Sequence, residues 1–174
     1  ICIYDIIRIF CIINIFNFKL MNFPILSSLI LLPIIGSLFL LFSKDKNSNT
    51  AKYVALFTSF VNFLISLYLW YQFDPTTSEF QFVEDREWLK GFINYKVGID
   101  GISILFIILT SLITPLCIIS VNNTVKDRLR DFLIAILVME SLMIGVFCSL
   151  DLVVFYLFFE AGLIPMFLII GIWG

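Results

Sequence analysis

The stretch Leu152-Val-Val-Phe-Tyr-Leu-Phe-Phe-Glu160-Ala-Gly-Leu-Ile-Pro-Met-Phe-Leu-Ile-Ile-Gly-Ile-Trp173 decides the fold class, because Glu160 is its only charged residue. A helix of this length crosses a hydrocarbon core of about 30 Å at about 1.5 Å per residue. Glu160 comes nine residues after Asp151 and therefore near the midplane. A carboxylate at that depth costs about 2.5–3.5 kcal/mol of insertion free energy. The cost indicates that Glu160 has a function.

The composition of the whole chain agrees with this first stretch. Of 174 residues, 61% are apolar and 14% are charged, whereas about 25% are charged in a typical soluble domain. The sequence therefore predicts an all-α, polytopic transmembrane helix bundle. A net charge of -2 without a basic patch argues against nucleic acid as a partner.

No pattern in the sequence predicts a redox centre or a metal site in this chain. Histidine, the commonest metal ligand, is absent, and there is no phosphate-binding loop, dinucleotide fingerprint or haem-attachment pair. The cysteines form no CxxC pair and are interpreted as small apolar residues. They are Cys2, Cys11, Cys117 and Cys148.

Hydropathy predicts five consecutive spans and one extension before them. Residues 1–20 are apolar but interrupted by Asp5 and Arg8, which fits an interfacial helix, a poor span or sequence upstream of a start at Met21. Because the chain begins with Ile1 and ends directly after a span, we interpret it as a fragment. The spans are predicted at about 23–42, 53–73, 99–121, 132–150 and 152–173.

The polar segments predict a hairpin and an orientation. Within residues 74–97, alternation at 79–83 and a second short run at 92–97 predict a small hairpin on the membrane surface. The loops 43–52 and 122–131 each carry three lysines or arginines. They are therefore expected on the cytoplasmic or matrix side, with residues 74–97 and Asp151 opposite.

Glu140 and Glu160 are the predicted intramembrane carboxylates. If the chain folds back at Asp151, both lie at nearly the same depth on antiparallel helices. Tyr156 is the only polar residue at helical spacing from either glutamate, and no lysine of this chain matches their depth. A buried carboxyl with a changing cationic partner can bind and release a proton, as a proton relay requires. Pro165 supports this role, because it leaves the carbonyl of Ala161 without a helical partner.

Simpler interpretations remain open for each polar group. Glu140 or Glu160 could stay protonated and bridge two helices by hydrogen bonds. Asp100 and Asp151 stand at span ends, where helix capping suffices. Asn62 is expected to bond to a neighbouring helix, and hydroxyl groups of the third span are expected to hold helices together. These hydroxyls belong to Thr110, Ser111 and Thr114.

Four segments in order resemble a known family. They are Val97-Gly-Ile-Asp-Gly-Ile-Ser103, Met139-Glu-Ser-Leu-Met-Ile-Gly-Val-Phe147, Phe158-Phe-Glu-Ala-Gly-Leu-Ile-Pro-Met166 and Gly171-Ile-Trp-Gly174. They closely resemble subunit 4 of NADH:ubiquinone oxidoreductase, the antiporter-like membrane subunit of respiratory complex I in mitochondria and bacteria. The resemblance covers 21–174 as the N-terminal part of an antiporter-like domain and excludes 1–20.

The resemblance implies a proton-pumping subunit with about fourteen helices and no redox centre of its own. It implies that Glu160 is essential and pairs with a lysine two helices later, and that Glu140 is also a proton-transfer residue. NADH, FMN, iron–sulfur clusters and quinone are implied for partner subunits of the membrane-bound complex. The implied location is the mitochondrial inner membrane, or a bacterial inner membrane. A cation/proton antiporter subunit of the Mrp type and a purely structural helix bundle are the alternatives.

Overall fold

The computed structural model describes residues 24–42, 48–89, 93–121, 125 and 128–174. The predicted extension at 1–20 lies outside these residues, as does half of each of the 43–52 and 122–131 loops. Five described helices and one two-stranded sheet follow one another along the chain. They are α1 (Ile25–Phe42), α2 (Ser48–Gln72), β1 (Gln81–Leu89), β2 (Ile93–Ile99), α3 (Ser103–Ser120), α4 (Leu129–Cys148) and α5 (Leu152–Trp173).

All five helices are long and apolar enough to cross a membrane, which confirms the predicted polytopic helical fold. Three of their first residues differ from the predicted spans by three residues or more, and the other ends agree within two residues. α2 begins at Ser48 rather than residue 53, and α4 begins at Leu129 rather than 132. Hydropathy marks only the apolar part of a helix, so it misses polar first turns. α3 begins at Ser103 rather than 99, because Ile99 is the last residue of β2.

The predicted hairpin is confirmed and is longer than the two short runs suggested. β1 pairs with β2 in antiparallel register, with Gln81 opposite Ile99 and Glu84 opposite Val97. The register shifts by one residue between these pairs, and Phe82 has a positive φ of 54° there. Such a bulge bends a strand locally. The bend lies where Phe82 packs against the hydrophobic core of the bundle.

Helices α1 to α4 pack around a common core, whereas α5 lies at the edge of the described chain. Half of the α4 span is buried, compared with 11% of the α5 span. Only Val154 and Pro165 of α5 are buried. Its main partner is α4, with additional contacts to β2. The outer side of α5 is therefore a large apolar surface that the described residues do not cover.

The hairpin closes one end of the bundle. The Leu150 amide between α4 and α5 donates to the Lys96 carbonyl at 3.0 Å. Glu84 reaches the start of α1 and accepts from the amide of Leu26 at 2.9 Å and from both the amide and the hydroxyl of Ser27. The hairpin and the α4–α5 turn thus share one side, as the loop order predicts. Which compartment that side faces stays a prediction.

Candidate functional site

The interior of the four-helix core contains an unusual number of polar side chains for an apolar bundle. Several of the hydroxyls bond to a carbonyl of their own helix, as Ser59 does with Leu56 and Thr114 with Thr110. This local bonding satisfies a buried hydroxyl without a second helix. The buried polar residues are Ser37, Ser59, Asn62, Ser66, Ser111, Thr114, Glu140 and Ser141.

Three contacts of this interior join different helices. Ser66 of α2 and Ser111 of α3 have their hydroxyl oxygens 2.7 Å apart. Ser141 of α4 donates to the carbonyl of Ile30 in α1 at 2.5 Å. The third contact joins Asn62 and Glu140. The expectation of interhelical bonding is confirmed for Asn62 and Ser111, whereas Thr110 and Thr114 bond within their own helix instead.

Glu140 is held inside the bundle by a single described hydrogen bond. Its side chain is 2% exposed, and its Oε1 accepts a hydrogen bond from Asn62 Nδ2 at 2.9 Å. Neither Glu140 Oε2 nor Asn62 Oδ1 has a hydrogen-bond partner among the described residues. Sequence reasoning did not identify Asn62 as this partner. The available signal was its position near the middle of α2, at a depth comparable with that of Glu140.

Glu160 has the opposite environment. It is exposed in the described structure and lines an open groove of about 610 Å³ along the outer side of α5. Tyr156, one turn earlier, lines the same groove, and its hydroxyl lies close enough to interact with the Glu160 carboxylate, as the helical spacing suggested. Ala161 lines the same groove, and α5 continues through Pro165. The carbonyl that Pro165 leaves without its helical donor therefore belongs to a residue beside Glu160.

The two glutamates share a depth but not a face. The ring of Phe158 lies against Gly145, and Phe132 contacts Trp173 at a ring-centroid distance of 5.2 Å. This antiparallel pairing of α4 and α5 brings Glu140 to a level about one turn beyond Glu160. Glu140, however, turns inward to α2, while Glu160 turns to the uncovered groove. The two glutamates therefore lie at a similar depth, as expected, but do not face each other.

Asp100 and Asp151 act as helix caps. Asp151 Oδ1 accepts from the amides of Val153 and Val154 at the start of α5. Asp100 Oδ1 accepts from the amides of Ile102 and Ser103 before α3. The hydrogen bonds from Ser103 hold the pKa of Asp100 below its ordinary value. Both acids therefore fit the simpler structural interpretation.

The described residues contain no group of three or more histidine, cysteine, aspartate or glutamate side chains that could hold a metal ion. Cys117 is exposed and Cys148 is buried, and both are free thiols. The two remaining cysteines lie outside the described ranges. The chemistry visible in this part of the chain is that of carboxyl, amide and hydroxyl groups.

Comparison with known proteins finds relatives that align with most of this chain. No model of a known protein family matches the chain. The chain is 48% identical over 150 residues to NADH-ubiquinone oxidoreductase chain 4 of Marchantia polymorpha, covering 86% of this chain and 30% of the relative. It is 59% identical over 130 residues to NADH-quinone oxidoreductase subunit M of Rhodobacter capsulatus, covering 75% of this chain and 24% of the relative.

A solved structure supports the fold independently of close sequence similarity. A chain of the membrane-bound sulfane sulfur reductase, described as an archaeal respiratory membrane complex, superposes with a TM-score of 0.67 at 19% identity. The match covers 86% of this chain and 23% of that one. The chain spans about a third or less of the length of these relatives. Over the residues that align, the chain is a homologue of NADH-ubiquinone oxidoreductase chain 4 and NADH-quinone oxidoreductase subunit M.

Proposed function

We propose that this chain belongs to the membrane arm of a proton-translocating NADH:quinone oxidoreductase and supplies carboxylates for proton transfer. The observation that carries this proposal is the placement of Glu160. It lies in the middle of an apolar span, on a face that the described residues leave uncovered. The relatives are about three times as long, so their further helices provide candidates to cover that face.

Glu160 is suited to exchange a proton with a partner that approaches this face. Its carboxylate already has a hydroxyl neighbour in Tyr156, and Ala161 offers a carbonyl in the same groove. A cation that approaches the groove would favour the ionised form of Glu160, and its withdrawal would favour the protonated form. We infer that a lysine of another helix is this cation and that its movement makes Glu160 release and rebind a proton.

Glu140 supplies a second proton-binding position, inside the four-helix core. It is separated from Glu160 by the body of α4 and α5, so a proton that passes between them requires water or hydroxyl groups on the way. Desolvation opposes ionisation of Glu140. We therefore propose that Glu140 is protonated for most of the cycle and ionises transiently, in contrast to Glu160.

The redox chemistry belongs elsewhere in this proposal. NADH, FMN, iron–sulfur clusters and quinone would be bound by partner subunits, and this chain would contact other membrane-arm subunits and the lipid bilayer. The location would be the mitochondrial inner membrane or a bacterial inner membrane, since relatives of both kinds match. Electron transfer would reach Glu160 as a change in local charge.

The test is NADH-driven quinone reduction by the complete enzyme, with Glu160→Gln and Glu140→Gln made separately. Each change keeps the shape of the side chain and removes the ionisable group. We expect assembly to be retained and coupled turnover to fall in both variants, more strongly for Glu160. The matched control is Glu79→Gln, because Glu79 is an exposed carboxylate outside the spans. Normal coupled turnover in both glutamate variants would leave only a structural role for this bundle.

A further inference from the structure

The pairing of Asn62 with Glu140 leaves two buried acceptor oxygens without a donor in the described part of the chain. Asn62 Nδ2 donates to Glu140 Oε1 at 2.9 Å. The remaining oxygen of each side chain has no hydrogen-bond partner among the described residues. Asn62 is fully buried and Glu140 is 2% exposed, so bulk water does not satisfy either atom. Buried polar atoms are rarely left unpaired, and each exception requires an explanation.

One proton accounts for both unpartnered atoms. A carboxamide has a donor and an acceptor side by side, and so does a neutral carboxylic acid. With a proton on Oε2, the acid can donate to Asn62 Oδ1 while Oε1 still accepts from Nδ2. The two side chains then form a closed, doubly hydrogen-bonded ring. An ionised Glu140 would instead present an acceptor to the acceptor Oδ1, and both atoms would stay unsatisfied.

The charges around the pair do not compensate an ionised Glu140. α4 packs against the other four helices and β2. α1 and α3 contain no Asp, Glu, Lys or Arg. The remaining charged residues on these elements are distant or face away. Lys52 of α2 lies ten residues before Asn62, which is about 15 Å along the helix axis. The others are Arg130 and Asp131 at the start of α4, Lys96 on β2 and Glu160 on the outer side of α5. An isolated charge in such an interior is strongly unfavourable.

We propose that Asn62 and neutral Glu140 form a cyclic amide–acid pair that binds one proton, with Asn62 as the positioning residue. The proposal deepens the proposed function and rests on it, because it assigns a structural cause to the proton that Glu140 holds. Release of the proton breaks the Oε2–H bond and passes the proton to a water molecule. The carboxylate then keeps only the bond from Nδ2. Loss of the second bond favours recapture, so Asn62 selects the protonated state.

The proposal also explains what a glutamine would do at position 140. A glutamine amide offers Nε2–H to Asn62 Oδ1 and its Oε1 to Nδ2, which reproduces the closed ring without an ionisable group. Glu140→Gln should therefore preserve the packing of α2 against α4. A leucine at position 62 has the same branching and number of side-chain heavy atoms as asparagine, is larger, and can neither donate nor accept. Asn62→Ser replaces the carboxamide by a single hydroxyl, and its side chain is too short to close the ring.

The test is infrared spectroscopy of the complete, assembled enzyme, in which the spectrum of Glu140→Gln is subtracted from that of the enzyme carrying Glu140. The carbonyl stretch of a protonated Glu140 is identified as the acid band that disappears in Glu140→Gln. In Asn62→Leu and Asn62→Ser this band should move to higher frequency, because its carbonyl loses the amide donor. The matched control is Ser59→Ala, a buried α2 residue that bonds to Leu56 of its own helix, and its spectrum should keep the band unchanged.

Two results would overturn the pairing. One is the absence of any acid band that depends on Glu140, which would mean that Glu140 is ionised. The other is a band that does not move in either Asn62 variant. Protons translocated per NADH, measured in the same preparations, separate this failure from that of the proposed function. An intact ratio in Glu140→Gln with the predicted band shift would keep the pair and remove its transport role. A lowered ratio with an unmoved band would do the reverse.

Discussion

Gly145 of α4 lies directly against the ring of Phe158 in α5, and adding one methyl group there tests the packing of the two helices. A Cβ at this position would lie 2.6 Å from Cδ1 of Phe158 and 2.8 Å from both Cε1 and Cγ. Because Cγ lies on the axis of ring rotation, turning the ring cannot relieve the contact. Phe158 must change its χ1 rotamer, or the two helices must separate. Gly145→Ala therefore perturbs the helix pair that sets the relative level of Glu140 and Glu160.

Two opposing effects set the change in the free energy of unfolding that Gly145→Ala should cause. Overpacking a tightly packed site costs about 1–3 kcal/mol, while replacing glycine by alanine inside a helix returns about 1 kcal/mol. The matched control is Gly162→Ala on α5, since a Cβ at Gly162 has no atom within 4 Å in the described structure. It carries the same propensity gain without the clash. The free energy of unfolding should therefore be about 1–3 kcal/mol lower for Gly145→Ala than for Gly162→Ala.

The assay is thermal unfolding of the assembled protein in detergent, together with the amount of assembled protein in the membrane. Gly145→Ala should melt at a lower temperature than the unchanged protein, and Gly162→Ala at an equal or higher one. Equal melting of the two alanine variants would refute the packing of α4 against α5 described above. Phe158→Leu combined with Gly145→Ala should recover part of the loss, because a smaller side chain makes room for the methyl group.

Three further changes test other parts of the structure. Glu84→Gln should lower the free energy of unfolding by about 1 kcal/mol, because a charged acceptor at the start of α1 is lost. In thermal unfolding, the control Asp85→Asn should have a smaller effect, because its partner Lys96 is 3.8 Å away at an exposed site. The pKa of Asp100 is lowered in the folded protein, so its ionised form stabilises the fold above its ordinary pKa of about 3.9. This contribution is lost as the pH falls through the lower, folded-state pKa. Asp100→Asn should therefore flatten the dependence of melting temperature on pH below about pH 4. The double variant with leucine at both Asn62 and Glu140 should be more stable than the variant with leucine at Glu140 alone. The single change leaves a buried amide unpaired, which costs about 1–3 kcal/mol of stability. Equal melting temperatures of the two variants would contradict the buried pair.

Hydropathy was sufficient to predict the helices, but not their ends. An apolar run with at most one charged residue that is long enough to cross the hydrocarbon core predicts a spanning helix, so the five spans followed directly. The first turns of α2 and α4 are polar, and such residues are equally compatible with a loop. Residues 99–102 include Asp100 but were predicted as part of the third span, because a long apolar run follows them. They instead end β2 and form the Asp100 cap, which depends on pairing with a strand about ten residues earlier.

The candidate site was also predictable only in part: the depth of its residues follows from the sequence, but their orientation does not. The depth of Glu140 and Glu160 follows from counting residues from Asp151, and Tyr156 follows from the helical repeat. The direction in which each glutamate points does not, because helix rotation is set by packing among several helices. Asn62 and Glu140 are 78 residues apart, and no local pattern relates them. The same is true of Glu84, whose contact with Ser27 required the bulge at Phe82 to be known.

The most direct test of the central claim is the number of protons translocated per NADH oxidised by the complete enzyme with Glu160→Gln, reconstituted in sealed vesicles. Quinone reduction measured with an uncoupler present corrects for any loss of assembly, and Glu79→Gln is the control. Our account predicts a ratio clearly below that of the unchanged enzyme, with the control unaffected. An unchanged ratio at normal turnover would show that Glu160 takes no part in proton transfer.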